Sequence, residues 1–166
     1  MGENMIITFI GHSSLKISDK VLDLIKEAIL NNIDKYEENT FYCGGYGDFD
    51  EICRKVSCDL KKDFENIEVV FISPYFTVQQ QRKFGDLIKN RVYDSVVYPE
   101  LEKVPLKFAI NYRNQWMIEK SDLIIAYVDK EYGGAYTSLC FAQKKKKKII
   151  NLVEKCWFSS NADVND

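Results

Sequence analysis

A single histidine, His12, stands in the whole chain, and none of the five cysteines forms a Cys-x-x-Cys pair. A zinc site of the usual Cys/His spacing therefore lacks its ligands. The odd cysteine set (Cys43, Cys53, Cys58, Cys140 and Cys156) reads as free thiols in a reducing, cytoplasmic setting rather than as a disulfide framework. No apolar run approaches the ~20 residues of a membrane span, so no membrane partner is expected. The residues ahead of the first apolar run carry no basic group, which argues against a secretory signal. Positive charge is not in excess either: 23 Lys and Arg stand against 25 Asp and Glu, for a net charge of −2. That balance makes nucleic acid an unfavoured partner. No stretch of Pro, Gly or Ser divides the chain, and no internal repeat is visible.

What is present suits a packed core. Hydrophobic residues make up 46% of the chain and aromatics 13%, enough for one domain of ordinary size. The expected boundaries are a single domain over residues 1–157 and a polar, flexible tail over 158–166.

Strand and helix patterns alternate. Met5–Ile10 is apolar and β-branched and ends at Gly11-His12, the signature of a buried strand. Ser18 offers a cap for a helix whose apolar face is Val21, Leu22, Ile25, Ala28 and Ile29. Thr40–Cys43 reads as a second strand and runs into Gly44-Gly45-Tyr46-Gly47. Phe49, Cys53, Val56, Leu60 and Phe64 form the next helical stripe, and Ile67–Ile72 the third strand. Tyr75–Leu106 is a long excursion holding a partial helix and, at the short apolar run Ser95–Tyr98, a candidate for a short extra strand. A helix to Lys120, a strand over Leu123–Val128, a helix from Gly133 to Gln143 and a strand over Lys148–Val153 complete the order. Such alternation predicts an α/β fold, a Rossmann-like three-layer sandwich on a mostly parallel sheet of about five strands.

In sheets of this kind ligands bind beyond the carboxyl ends of the strands. Three turns fall there: Gly11-His12-Ser13-Ser14, Gly44 to Asp50, and Gly133 to Thr137. Glycine lets a backbone approach a phosphate closely, and a helix N-terminus offers free N–H groups to an anion. The plainer role for each is a tight turn. Asp50 could accept from a sugar hydroxyl, while Asp48 and Glu51 suit the start of a helix. Arg113, with Asn114 beside it, could clamp a phosphate or carboxylate, in which case its removal would change the empty protein's stability little. Its plainer role is a solvated helix face. His12 is placed for proton transfer or for a turn. The run Lys144–Lys148 falls at a helix end, where lysines complement the dipole.

These segments together resemble a known family. Arg113-Asn114-Gln115-Trp116-Met117, Ser121 to Ala126, Gly133-Gly134-Ala135-Tyr136-Thr137 and Lys148-Ile149-Ile150 resemble the SLOG superfamily. Phe9-Ile10-Gly11-His12 and the Gly44 to Asp50 turn are similar to its YpsA-like branch. The resemblance covers residues 5–153 and implies a Rossmann-like fold binding nucleotides or nucleotide-derived ligands. Its relatives include LOG phosphoribohydrolases, sensors attached to effector domains, and DNA-binding DprA-type proteins. The LOG enzymes carry PGGxGTxxE, with a catalytic glutamate. The matching stretch here is Tyr132 to Cys140, so Cys140 occupies the glutamate position. A thiol does not replace a carboxylate at an oxocarbenium-like centre.

The combined reading is a binding or sensing module for a nucleotide or nucleotide-derived small molecule. Its expected contacts are Gly11, His12, Gly44, Gly45, Gly47, Asp50, Arg113, Asn114, Gly133, Gly134 and Thr137, with Tyr46 or Tyr75 stacking on a base and Trp116 in the core. No metal or cofactor is implied, and a homo-oligomer is left open. The alternative is a nucleoside-phosphate N-glycoside hydrolase or transferase in which Asp50, Glu51 or Glu131 supplies the missing carboxylate.

Overall fold

A computed structural model describes residues 2–154. The expected tail, with Cys156 and the boundary at 157, lies outside them. Six strands form one parallel sheet: β1 Met5–Gly11, β2 Asn39–Cys43, β3 Ile67–Ile72, β4 Ser95–Val97, β5 Leu123–Tyr127 and β6 Lys148–Asn151. Their spatial order is β4-β3-β2-β1-β5-β6. Five helices connect them: α1 Asp19–Leu30, α2 Asp48–Leu60, α3 Val78–Lys89, α4 Ala109–Lys120 and α5 Gly133–Lys144.

The Rossmann-like fold expected from the alternation is present, with one strand more than the five expected. The addition is β4, which pairs with β3 from Val70–Ser95 to Ile72–Val97. It lies in the long excursion, together with α3. Phe84 is the one buried residue of α3, so an apolar helical stripe is nearly absent from its sequence.

The strands alternate their side chains between two faces. Ile7, Phe9, Phe41, Val69 and Ile125 point to the face covered by α1 and α2, where they meet Ile25, Ile29, Phe49 and Cys53. Ile10, Ile124 and Ala126 point to the other face, against Ile118 of α4 and Leu139 and Ala142 of α5. Phe41 is completely buried, and its truncation to alanine would cost about 3–5 kcal/mol in transfer and cavity energy.

The order of the strands fixes where a ligand has room. From β1 the chain steps outward through β2, β3 and β4, then returns to the opposite side of β1 for β5. The connections on either side of this reversal cover opposite faces. A crevice therefore opens between the carboxyl ends of β1 and β5. Because the sheet is parallel, the turns after β1, β2 and β5 share that edge, as the alternation predicted.

Candidate functional site

The crevice encloses a cavity of about 410 Å³. Its floor is the end of β1, including Thr8 and Gly11. One wall is α4, through Asn111, Arg113 and Asn114, and the other is the start of α5, through Gly133, Gly134 and Ser138. Lys130 stands at the rim.

The helix starts around this edge are not equivalent. Ser18 caps α1, its hydroxyl accepting from Val21 N–H, and Thr77 caps α3 by accepting from Gln80 N–H. The α2 start carries Asp48, Asp50 and Glu51 in its first turn and is joined to the β1 turn: Asp48 N–H donates to Ser13 O at 3.0 Å, and Leu15 N–H donates to Asp48 Oδ2 at 2.9 Å. The α5 start has neither a side-chain cap nor an acid in its first turn. A Cβ added at Gly133 or Gly134 would meet nothing within 4 Å. Free N–H groups at the positive end of a helix, facing open space, make an anion site.

Arg113 lies across the cavity from α5 and is 3% exposed, so the solvated-face role does not apply. Its Nη1 donates to Gly44 O and to Ile72 O, each at 2.7 Å, and its Nε donates to Asn114 Oδ1 at 2.8 Å. Nη2 has no hydrogen-bond partner among the described residues. Since no fully buried side-chain polar atom there lacks a partner, Nη2 reaches the solvent of the cavities that Arg113 lines. Burial pulls the Arg113 pKa below its ordinary value, against the charge of Asp50. Guanidinium remains charged in proteins regardless.

The second glycine turn corrects an expectation. Gly44 N–H and Gly45 N–H both donate to the Asp50 carboxylate, to Oδ1 and Oδ2, at 2.8 Å each. These amides are committed and cannot cradle a phosphate, and the same oxygens are not free to serve a sugar hydroxyl as their first partner. Gly45 has φ +68°, and a Cβ on it would come within 2.5 Å of the Phe71 ring, so it is glycine for the turn and for packing. Gly47 approaches Ser13 Cα in the same way and lines neither cavity. Gly11 does line the crevice, but an added Cβ would lie 2.2 Å from the Phe49 ring, so α2 packing explains its identity.

His12 Nε2 lies 3.2 Å from Asp129 N and 3.0 Å from Asp129 Oδ1. A neutral imidazole accepts from the amide there, and a protonated one pairs with the carboxylate. Either way that nitrogen ties the β1 turn to the β5 turn and is not a free base. Thr137 also falls outside the cavities: its hydroxyl donates back to Gly133 O at 3.1 Å. Gly11, His12, Gly44, Asp50, Arg113, Asn114, Gly133 and Gly134 are brought to the crevice, and Gly45 lines its neighbour. Lys130, Asn111 and Ser138 were not anticipated. Helical spacing could have found two of them, since Asn111 precedes Asn114 by one turn and Ser138 follows Gly134 by one turn.

The remaining polar clusters are occupied. In the lysine run, Lys147 Nζ donates to Glu119 O and Ser121 O, and Lys145 pairs with Glu119. Burial pushes the Cys43 and Cys53 thiols well above their ordinary range, which keeps them protonated and inert. Among the described residues no group of three or more His, Cys, Asp or Glu is placed to hold a metal.

The family model for YpsA, described as the YspA SLOG family, matches residues 9–155. The chain belongs to this family. Comparison with curated proteins by sequence finds no match. Among solved structures, this SLOG chain is similar to DNA processing protein A of Helicobacter pylori, described for its single-stranded DNA binding mode, with a TM-score of 0.56 and 19% identity over 87% of this chain. The Streptococcus pneumoniae DNA processing protein A gives 0.58 and 15% over 87%. The SLOG chain spans 63% and 49% of those two proteins. The Chlamydomonas rheinhardtii Moco carrier protein gives 0.50 and 13%, covering 98% of this chain and 87% of its own. At these identities the likeness is one of fold. No helix among the described residues of the SLOG chain is long and apolar enough to cross a membrane.

Proposed function

We propose that the β1/β5 crevice binds the phosphate of a nucleotide or nucleotide-derived small molecule, and that the chain works as a binding or sensing module. One observation carries this reading: the uncapped, acid-free start of α5 faces a buried arginine with an unspent donor. Lys130 at the rim adds positive charge. A phosphate placed between them would meet backbone amides, the helix dipole and a guanidinium, each of which favours an anion.

The hydrolase alternative has less support. Asp50 is held by two amides, and Glu51 is paired with Arg54 and Lys55. Glu131 and Cys140 do not line the crevice. The test is native mass spectrometry of protein purified from cells, followed by calorimetric titration with nucleoside monophosphates. A co-purifying phosphorylated compound or saturable binding is expected. Protein that carries none and binds none overturns the reading.

A further inference from the structure

A second cavity of about 300 Å³ opens at the same sheet edge, beyond β2 and β3. Its side chains are mostly apolar. Phe71, Phe84 and Leu87 form its inner wall, and Tyr46 and Tyr75 stand at its sides. Tyr46 is 77% exposed, so its ring is open to a ligand from solvent. Arg113, Gly44, Tyr46 and Ile110 border this cavity and the crevice alike, so the two adjoin. In the strand order the β1/β5 crevice and the ends of β2 and β3 are two strand spacings apart, about 10 Å along the edge. One ligand with a sugar between its phosphate and a flat ring can reach both.

The polar groups at the rim have a definite character. Lys83 supplies donors and no acceptor. The Thr77 hydroxyl donates to Gln80 Oε1, which leaves the Gln80 amide NH2 as the group free to bond outward. Ser73 Oγ is spent on Tyr75, donating to its carbonyl and accepting from its N–H. The hydroxyls of Tyr46 and Tyr75 can donate or accept and do not discriminate. Donors without a committed acceptor suit a ring edge that presents carbonyl oxygen. Guanine shows O6 and N7 there, whereas adenine shows an amino group at the equivalent position.

We propose that the second cavity seats the base of the crevice's ligand, and that Lys83 and Gln80 favour a base with ring carbonyls, guanine or uracil, over adenine. This rests on the reading that the crevice takes the phosphate. The base stacks on Tyr46 and Tyr75, as single bases do on aromatic platforms, and Arg113 lies at the junction between the two parts of the ligand.

The experiment is calorimetric titration of the full chain with inorganic phosphate, ribose 5-phosphate, GMP, UMP and AMP. GMP is expected to bind at least about ten-fold tighter than ribose 5-phosphate, which is about 1.4 kcal/mol, and tighter than AMP. Tyr75→Ala should bring GMP toward ribose 5-phosphate while leaving ribose 5-phosphate unchanged. Lys83 is exposed, so Lys83→Glu tests the same site without threatening the fold, and it should cut the GMP-to-AMP affinity ratio by about ten-fold. Equal binding of ribose 5-phosphate and GMP sinks this inference and leaves the phosphate reading standing. AMP binding tighter than GMP, or a ratio unmoved by Lys83→Glu, removes the proposed base preference. Failure of phosphate, ribose 5-phosphate and every nucleotide to bind overturns both readings.

Discussion

Arg113 and Asp50 hold opposite sides of Gly44: Arg113 Nη1 donates to its carbonyl at 2.7 Å, and Asp50 Oδ1 accepts from its N–H at 2.8 Å. A residue of α4 and a residue of α2, on opposite faces of the sheet, thus fix one turn at the end of β2. The Ile72 carbonyl, also bonded to Arg113, draws in the end of β3. The arrangement sets the wall between the two cavities, and it gives Arg113 a structural task beside the ligand-binding one.

Arg113→Ala should therefore destabilise the empty protein. It leaves the buried Ile72 carbonyl and the part-buried Gly44 carbonyl without their donor, and an unsatisfied buried group such as the first costs about 1–3 kcal/mol. This revises the sequence expectation that the substitution would change stability little. Urea unfolding without ligand measures it, and coincident midpoints for the two proteins would contradict the structural role.

Asp50 gives a pH signature. Burial raises its pKa above the ordinary value, outweighing the opposing Gly44 and Gly45 amides and the Arg113 charge. A carboxyl with a raised folded pKa binds its proton more tightly in the folded chain than in the unfolded one. Its contribution is most favourable below the unfolded value of about 3.9, is lost as pH rises toward the folded value, and is absent above it. Asp50→Asn should remove that segment of the stability curve. Unfolding midpoints across the acid range, wild type against variant, report it; parallel curves would refute the assignment.

Much of this was legible in the sequence for a physical reason. The β1, β3 and β5 segments are mostly buried strands, so their sequences are rich in apolar residues, and Ser18 announces α1 by the cap it makes. β4 and α3 were blurred because an edge strand of three half-buried residues and a helix with one buried side chain leave little periodic signal. Within the site, the α5 glycines read correctly as an open helix start. The Gly44–Gly47 turn misled because glycine required by φ or by a neighbouring ring is indistinguishable in sequence from glycine required by a ligand. The partner of its amides, Asp50, follows only a few residues later, but nothing in the spacing says that it folds back.

Gly134→Asp separates binding from folding. Gly134 lies in the first turn of α5 with open space around its Cβ position, so a side chain is tolerated. An acid at a helix start is stabilising by about 0.3–1 kcal/mol, and glycine itself is a weak helix former. The melting temperature should hold or rise. Anion binding in the crevice should fall by more than about ten-fold, because the carboxylate occupies the phosphate's place and repels it. Unchanged nucleotide affinity in a well-folded Gly134→Asp protein would move the phosphate away from α5.

Base release from nucleoside monophosphates should be negligible, for reasons of charge. Cleaving an N-glycosidic bond builds positive charge on the sugar, and a carboxylate must stabilise it or attack it. Position 140, where the LOG-type motif has its glutamate, holds a cysteine, and that cysteine lies outside the crevice lining while Gly134 and Ser138 lie within it. The other candidate carboxylates are spent or absent from the pocket: Glu51 is paired on the outside of α2, and Glu131 does not border the cavity. Asp50 does border it, but both of its oxygens accept backbone amides, and approach to a sugar carbon would require breaking the β2 turn that it holds. Chromatography of AMP, GMP and CMP incubated with the protein for several hours should show no free base above the uncatalysed control. Turnover that survives Cys140→Ala and disappears in Asp50→Asn would show that the turn opens, and would place the reaction at the end of β2.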